Sequence, residues 1–387
     1  MAGPLSGVRI VELAGMGPAP HACMLLADMG ATIIRVDRPS NVDRPSEYLH
    51  KFETLTRNRP NVAIDLKTPS GLSTVLKLCE KADILIEGFR PGVLERLGLG
   101  PDVLLKRNPQ LVIGRVTGWG QNGPLSQAAG HDINYISITG ALACVGPTDG
   151  PPVPPLHFVG DFGGGSLFLA VGVLSAYINA KATGIGQVVD AAMVDGSASL
   201  VSWLMGRTAA GGWDDERRGA NFVDGGSHYY SVYETADGKF ISIGSIEPQF
   251  YRQLLDTLGL GEGDLHPQNY EQGWQENKSR LAAVFRTRTR DEWTRLMEGT
   301  DICFAPVLTV SEAPSHPHNL ERKTFVEIDG YMQPAPAPRF SKTPGEVRFG
   351  ATKPGQHTRV ALKDWGFSDV QVYELEAAGA VRQAESV

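Results

Sequence analysis

Residues 8–37 read VRIVELAGMGPAPHACMLLADMGATIIRVD, and this stretch decides the fold. Val8–Leu13 is an apolar run of strand length, His21–Met29 has helical spacing, and Thr32–Val36 is a second run rich in β-branched residues. Pro18 and Pro20 suit a first helical turn, where a backbone N–H has no partner to lose, and Gly30 suits the helix end. Strand, helix and strand in this order form a βαβ unit, which pairs its strands in parallel. Gly15-Met16-Gly17-Pro18-Ala19-Pro20, with Asp37 closing the second strand, half-matches a dinucleotide fingerprint. Pro20 stands where the third glycine belongs, removing an N–H and obstructing close helix–strand packing, so nicotinamide binding is marked down. Arg38 follows Asp37 at a strand's carboxyl end, a place that suits a phosphate anchor. Taken alone, it reads as a surface arginine.

The rhythm continues outward. Val62–Asp65, Ile84–Ile86, Leu111–Val116 and Gln187–Asp190 read as further strands. Pro69 opens a helix over Ser70–Lys81, a long apolar helix follows Asp161-Phe162-Gly163-Gly164-Gly165, and another runs from about Ala191 to Met205. This alternation predicts an α/β fold with a Rossmann-like, doubly wound, mostly parallel sheet. Tyr229–Glu234 and Lys239–Gly244 flank Asp237-Gly238, a hairpin signal, and Glu247-Pro248 opens a helix through Leu258. Helical patterns continue to about Met297, Ser315–Pro344 reads as Pro- and His-rich and extended, and Asp364–Ala378 reads as helical. The expectation is a large domain over 1–192 and 337–387, a smaller α+β domain over 223–317, and linkers over 193–222 and 318–336.

The chain has 387 residues, a formal net charge of −7 and 42% hydrophobic residues, an ordinary globular composition. Mild acidity argues against nucleic acid as a partner, though a local basic pocket remains compatible with it. Cys23, Cys79, Cys144 and Cys303 are far apart, without a C-x-x-C, and read as reduced core residues of an intracellular protein. Met1–Gly7 has no charged segment followed by an apolar run, and Ser166–Ala176 falls short of the ~20 residues that cross a bilayer. Glu385-Ser386-Val387 is not a peroxisomal signal of the S-K-L type. A cytoplasmic protein with no membrane partner is expected.

Three clusters place an ionisable side chain beside glycines or a helix start: Gly118–Tyr135, which holds His131; Gly160–Gly165, which holds Asp161; and Gly244–Tyr251, which holds Glu247. Read alone, His131 is a structural histidine and Asp161 and Glu247 are helix caps. His316-Pro317-His318, the only close histidine pair, reads as structural or exposed, and no metal is expected.

Gly130-His131-Asp132-Ile133-Asn134-Tyr135, Asp161-Phe162-Gly163-Gly164-Gly165, Gly186–Gly196 (G-Q-V-V-D-A-A-M-V-D-G), Asp224-Gly225-Gly226 and Ile246-Glu247-Pro248-Gln249-Phe250-Tyr251 occur in this order. Together with the N-terminal segment they resemble the α-methylacyl-CoA racemase family of the class III CoA-transferase superfamily, from about Gly3 to Arg339. The resemblance implies a 1,1-proton transfer that interconverts (2R)- and (2S)-2-methylacyl-CoA through an enolate. It assigns the two proton-transferring groups to His131 and Asp161, with Glu247 hydrogen-bonded to the histidine. Asp132 N–H is the implied donor to the thioester oxygen, and Gly130, Ile133, Asn134 and Tyr135 line the thioester end. CoA is implied to lie along Arg38, Ile64, Asp65, Leu66, Lys67 and Arg90. CoA is part of the substrate and no further cofactor is implied. One departure stands at Gly184-Ile185-Gly186-Gln187, where the family has lysine in place of Ile185. Family members are interlocked homodimers, a topology that suits the long connections Met193–Phe222 and His318–Pro336, with Glu247 of one chain completing the other's site. The competing reading is a class III CoA-transferase with Asp161 as nucleophile. His131 discriminates against it, because the transferases lack that histidine. A catalytically silent CoA-binding protein is the third reading.

Overall fold

The computed structural model describes residues 3–43, 50–261 and 263–385. The terminal residues Met1, Ala2, Ser386 and Val387, on which the targeting-signal expectations partly rest, lie outside them. The chain divides into two compact units, Met1–Thr139 with Leu156–Leu200 and Lys323–Val387, and Gly140–Pro155 with Val201–Arg322. These boundaries differ from the expected 1–192/337–387 and 223–317 chiefly because Gly140–Pro155 packs with the second unit.

The first unit is a sheet with helices on both faces. Its elements are β1 (Arg9–Leu13), α1 (Pro18–Asp28), β2 (Thr32–Asp37), β3 (Asn61–Ile64), α2 (Pro69–Glu80), β4 (Ile84–Glu87), α3 (Val93–Arg96), α4 (Pro101–Arg107), β5 (Val112–Thr117), α5 (Asp132–Ser137), α6 (Phe168–Thr183), β6 (Val188–Ala192) and α7 (Met193–Leu200). A π-helical segment, Phe158–Leu167, runs directly into α6. The strand order 3-2-1-4-5-6 is parallel throughout, as the βαβ reading expects. The order reverses beside β1, and a ligand crevice opens at the carboxyl ends of strands at such a reversal.

Two apolar layers hold the sheet. Val11, Leu13, Ile34, Val36 and Leu85 point to one face, and Ile10, Ile33, Ile84, Ile86 and Val112 to the other, where α1 and α6 pack. Each such side chain contributes about 1.5–3 kcal/mol when fully buried. Glycine makes one contact possible: a Cβ on Gly114 would lie 2.6 Å from Val173 of α6.

The second unit contains α8 (Ser202–Ala209), β7 (Tyr230–Glu234), β8 (Phe240–Gly244), α9 (Pro248–Leu258), α10 (Trp274–Phe285), α11 (Arg290–Met297), β9 (Phe304–Val307) and α12 (Pro317–Arg322). Strands β7 and β8 form the hairpin expected at Asp237-Gly238, and β9 extends it to three antiparallel strands. The chain then returns to the first unit through β10 (Phe325–Ile328), β11 (Tyr331–Pro334), α13 (Thr358–Asp364), α14 (Asp369–Ala377) and β12 (Val381–Arg382). β12 closes the sheet edge antiparallel to β3.

Four local expectations need correction. Ser315–Pro344 is not extended: it holds α12 and the β10–β11 hairpin, turned by Asp329-Gly330 with positive φ at both residues. The alternation of F-V-E-I and Y-M-Q-P around Asp-Gly carried that signal. The helix expected over Ala191–Met205 begins at Met193 and breaks at Val201, because β6 extends through Ala192 to pair with Thr117. The helix expected over Asp364–Ala378 starts later, at Asp369, capped by the Ser368 side chain, which accepts from Gln371 N–H, and Asp364 instead ends the preceding helix. Cys23 and Cys79 are core residues, but Cys144 is half-buried and Cys303 exposed; all four are free thiols. In addition, Phe158–Thr183 forms a helical run of 26 residues that contains an 18-residue window of mean hydropathy 1.5, longer than the apolar stretch expected from the sequence. By length and composition alone it is long enough to cross a bilayer, although Leu169, Val173, Ala176 and Ala180 pack it onto the sheet.

Charged groups buried at the end of α1 tie the returning segment to the first βαβ unit. Arg57 donates to Asp28 through Nε (3.2 Å) and Nη2 (2.5 Å), and through Nη1 to Gln333 Oε1 (3.2 Å) and the Pro334 carbonyl (2.9 Å). Asn58 Nδ2 also donates to Asp28 at 2.7 Å. Replacing Arg57 by Ala leaves a buried carboxylate without its counter-charge, so the expected loss is about 3–5 kcal/mol. Urea unfolding followed by tryptophan fluorescence checks this; a loss below about 1 kcal/mol, as for an exposed pair, contradicts it.

Candidate active site

Two clefts open at the strand carboxyl ends of the first unit. One, of about 630 Å³, is lined by Leu13–Gly17, Asp37, Arg38, Asn41, Ile64, Leu66 and Phe89, with Thr352 and Pro354 from the returning segment. The other, of about 430 Å³, is lined by Arg90, Gly118, Trp119, Gly130, His131, Asn134, Tyr135 and Met193. Met16 and Phe89 line both, so the two spaces form one path. The wall residue Phe89 is fixed from beneath: its N–H donates to Glu87 Oε2 at 2.6 Å, and Arg115 Nε donates to Glu87 Oε1 at 2.7 Å.

Of the residues named for CoA, Arg38, Ile64 and Leu66 line the first cleft and Arg90 the second. Asp65 and Lys67 line neither; Asp65 Oδ1 instead accepts from Lys67 N–H, closing the turn after β3. The buried guanidinium in the first cleft, Arg35, is bound to Glu12 and lies 3.8 Å from Asp37. The exposed Arg38 side chain is the better placed cation for an anion.

His131 is the N-cap of α5, and its backbone N–H donates to Asn134 Oδ1 at 3.0 Å. Asp132 is 5% exposed, and its Oδ2 accepts the Asp161 N–H at 2.6 Å. The other oxygen, Oδ1, is buried without a hydrogen-bond partner. Ile133 and Asn134 are exposed, and Tyr135 packs edge-on against Trp119 with its hydroxyl donating to the Gly130 carbonyl. Gly118 and Gly130 make room for that ring: a Cβ at either would overlap Tyr135.

Asp161 lies inside the π-helical segment and does not cap α6. The glycines after it serve close packing. A Cβ on Gly164 would lie 2.6 Å from Ser197 Oγ, and one on Gly165 2.8 Å from Met193 Cγ, both on α7. Across the cleft, Gly17 lies against the carboxylate: its Cβ would be 3.0 Å from Asp161 Oδ2, and its φ is +71°. Where the half-fingerprint suggested a pyrophosphate, the loop receives a carboxylate of the protein.

Burial raises the Asp161 carboxyl above the ordinary aspartate value and the Asp132 charge raises it further. His157 and then His131 pull it back. The structure thus brings His131 and Asp161 into one electrostatic site. Glu247 stands at the N-cap of α9 in the second unit, with its side chain exposed. His157 was not singled out from the sequence; its Nδ1 lies 3.4 Å from Asp161 Oδ2, and the i, i+4 spacing in His157-Phe158-Val159-Gly160-Asp161 was the available signal. Gly17, Trp119 and Met193 were also missed. Among the described residues, Asp132, His157 and Asp161 bring donor atoms within 4.8 Å of one another. With Asp132 Oδ2 committed to a backbone N–H, the group reads as a proton-holding cluster.

The parallel sheet with its order reversal beside β1 and the adjoining clefts at the strand carboxyl ends define the class: a doubly wound α/β fold with its ligand crevice at the strand ends. The sequence profile of CoA-transferase family III matches residues 5–358, and the chain belongs to that family. It is 42% identical over 377 residues to the α-methylacyl-CoA racemase of Mus musculus, covering 96% of each chain. It is 41% identical over 375 residues to the α-methylacyl-CoA racemase of Homo sapiens, again 96% of each. A CAIB/BAIF family protein from Brucella suis shares the fold, with a TM-score of 0.78 at 24% identity over 94% of this chain and 100% of that one.

A raised carboxyl binds its proton more tightly in the folded state, so stability falls as pH rises through the window between its ordinary and raised values. Asp161→Asn removes that cost. The variant is expected to be more stable than the parent at pH 7, with the difference shrinking toward pH 4.5. Thermal unfolding across that range tests it, and a variant less stable at every pH contradicts it.

Proposed function

We propose that the protein is a 2-methylacyl-CoA racemase, an isomerase that interconverts the (2R) and (2S) thioesters by 1,1-proton transfer. The observation that carries this is that His131, on the wall of one cleft, acts electrostatically on a half-buried Asp161 whose carboxyl is raised above the ordinary aspartate range. Whole-chain similarity to two α-methylacyl-CoA racemases supports it.

In this reading the adenosine phosphates lie at Arg38 and the pantetheine passes Phe89 and Arg90 to the thioester. One of His131 and Asp161 takes the C2 proton, and the other returns a proton to the opposite face. Such a pair needs opposed ionisation states, one group protonated and the other not, and the raised Asp161 carboxyl suits the protonated member. The enolate oxygen is held by the Asp132 N–H at the start of α5, a preorganised donor. The chemistry requires no cofactor beyond the substrate's own CoA. Asp161 as a transferase nucleophile is the lesser reading, because His131 then has no task.

We assign the exposed apolar side chains Phe158, Leu167, Val171 and Ile178 to the contact with a second copy of the chain. In that homodimer Glu247 of one chain orients His131 of the other. A cytoplasmic setting and a role in fatty-acid metabolism belong to the same proposal.

Incubation with 2-methyloctanoyl-CoA in D2O, without an acceptor acid, is expected to place deuterium at C2 and scramble the configuration. No exchange, with CoA passing to an added carboxylate, establishes the transferase instead. His131→Ala should lower exchange by ~10²-fold or more for one enantiomer and less for the other. Equal, small losses remove the two-base assignment. Gly17→Ala, which pushes on Asp161 and strains a positive φ, should cost on the order of 10²-fold in kcat. Unchanged kcat with a native circular dichroism spectrum contradicts the placement.

A further inference from the structure

We infer that His157 is a positioning residue that carries the Asp161 proton to and from water. The inference rests on the racemase reading above and deepens it. The geometry is asymmetric in a useful way. The His157 side chain is 70% exposed and the Asp161 side chain 16%, with Nδ1 and Oδ2 3.4 Å apart. One imidazole therefore touches the carboxyl and the solvent at once. His157 stands at the N-cap of the π-helical segment and Asp161 inside it, four residues on; the Phe162 ring lies 6.2 Å from the His157 ring and stacks at 4.4 Å on His21.

The relay answers a problem that the rest of the site creates. Gly17 closes the carboxylate from the α1 side, and Asp132 holds the Asp161 backbone from the α5 side. From α5 the groups that face Asp161 are Asp132, His131 at the N-cap and Tyr135; the segment itself contributes His157. Asp132 is 5% exposed, away from water, with its Oδ2 holding the Asp161 N–H, and Tyr135 donates to the Gly130 carbonyl. His131 must stay on its own side of the substrate carbon to serve as the second base. With an acyl-CoA seated over Gly17, His157 keeps the Asp161 proton in exchange with water. The steps balance: the Asp161 O–H bond breaks and an Nδ1–H bond forms, giving carboxylate and imidazolium; the imidazolium then releases a proton to water. The reverse steps reprotonate the carboxylate. Its partial positive charge also favours the ionised carboxylate.

The test uses the full-length protein with (2R)- and (2S)-2-methyloctanoyl-CoA deuterated at C2, in H2O. For each enantiomer, the loss of deuterium from unconverted substrate is measured against formation of the inverted product. In the parent, a deuteron taken by Asp161 washes out before it returns. In His157→Asn, washout relative to inversion is expected to fall on the order of tenfold for the enantiomer whose proton Asp161 takes, and to stay unchanged for the one His131 takes. For the first enantiomer the acid limb of the kcat profile should also move to higher pH. His157→Gln, with a longer side chain, should behave alike, which separates the relay from a packing defect. Equal changes for both enantiomers, or none for either, overturn the relay while leaving the racemase intact. Absence of washout and inversion in the parent overturns the racemase reading and the relay with it.

Discussion

The site depends on one close approach, that of the π-helical segment to α7 and to the loop before α1. Backbone of Gly164 and Gly165 lies where side chains would strike Ser197 and Met193. This contact brings Asp161 to the carboxyl ends of the strands and leaves it room only against a residue with no Cβ, Gly17. A carboxylate in such a place is partly stripped of water and sits beside a second carboxylate, so it holds a proton more firmly than an ordinary aspartate. Its chemistry follows from packing before any substrate arrives.

The same economy governs charge in the nucleotide end. Glu12, Asp37, Arg35 and Arg59 are buried beneath the cleft, two of each sign, with Arg59 Nη1 3.4 Å from Glu12 and Arg35 joined to Glu12. Buried ions are tolerated when each faces a counter-charge. The network fixes the ends of β1 and β2 and leaves Arg38 as the exposed guanidinium lining the cleft. The departure at Ile185 does not touch this arrangement: Ile185 is exposed and lines neither cleft, whereas Gly186 is held by close contact with Leu111.

How much was legible in the sequence follows from the range of each signal. The parallel sheet was readable because strands buried on both faces are continuous apolar runs, and the Asp237-Gly238 hairpin because its turn needs a residue tolerant of positive φ. The same logic at Asp329-Gly330 went unread under a Pro-rich composition. Asp161, Asp132 and His131 were readable as motif residues. Their relation was not, since the Asp161 N–H to Asp132 bond spans 29 positions and depends on tertiary packing. Asp161 read alone was a helix cap; only the π-helical path places it within the helical run. His157 was hidden for the opposite reason, a local i, i+4 pair in a segment whose helical state the glycine run obscured.

The sequence fingerprint that first suggested a dinucleotide explains itself in these terms. Gly17, with φ +71°, turns the chain after β1, and Pro18 and Pro20 start α1 with φ already set. A cofactor-binding loop keeps its N–H groups for a pyrophosphate, whereas this loop gives its space to Asp161. The exposed cation nearest this loop then stands one strand over, at Arg38 after β2, and the space beside β1 is taken by the Asp161 carboxyl. A loop that half-matches a cofactor fingerprint thus packs against a carboxylate of its own chain, at Gly17, on an otherwise shared βαβ frame.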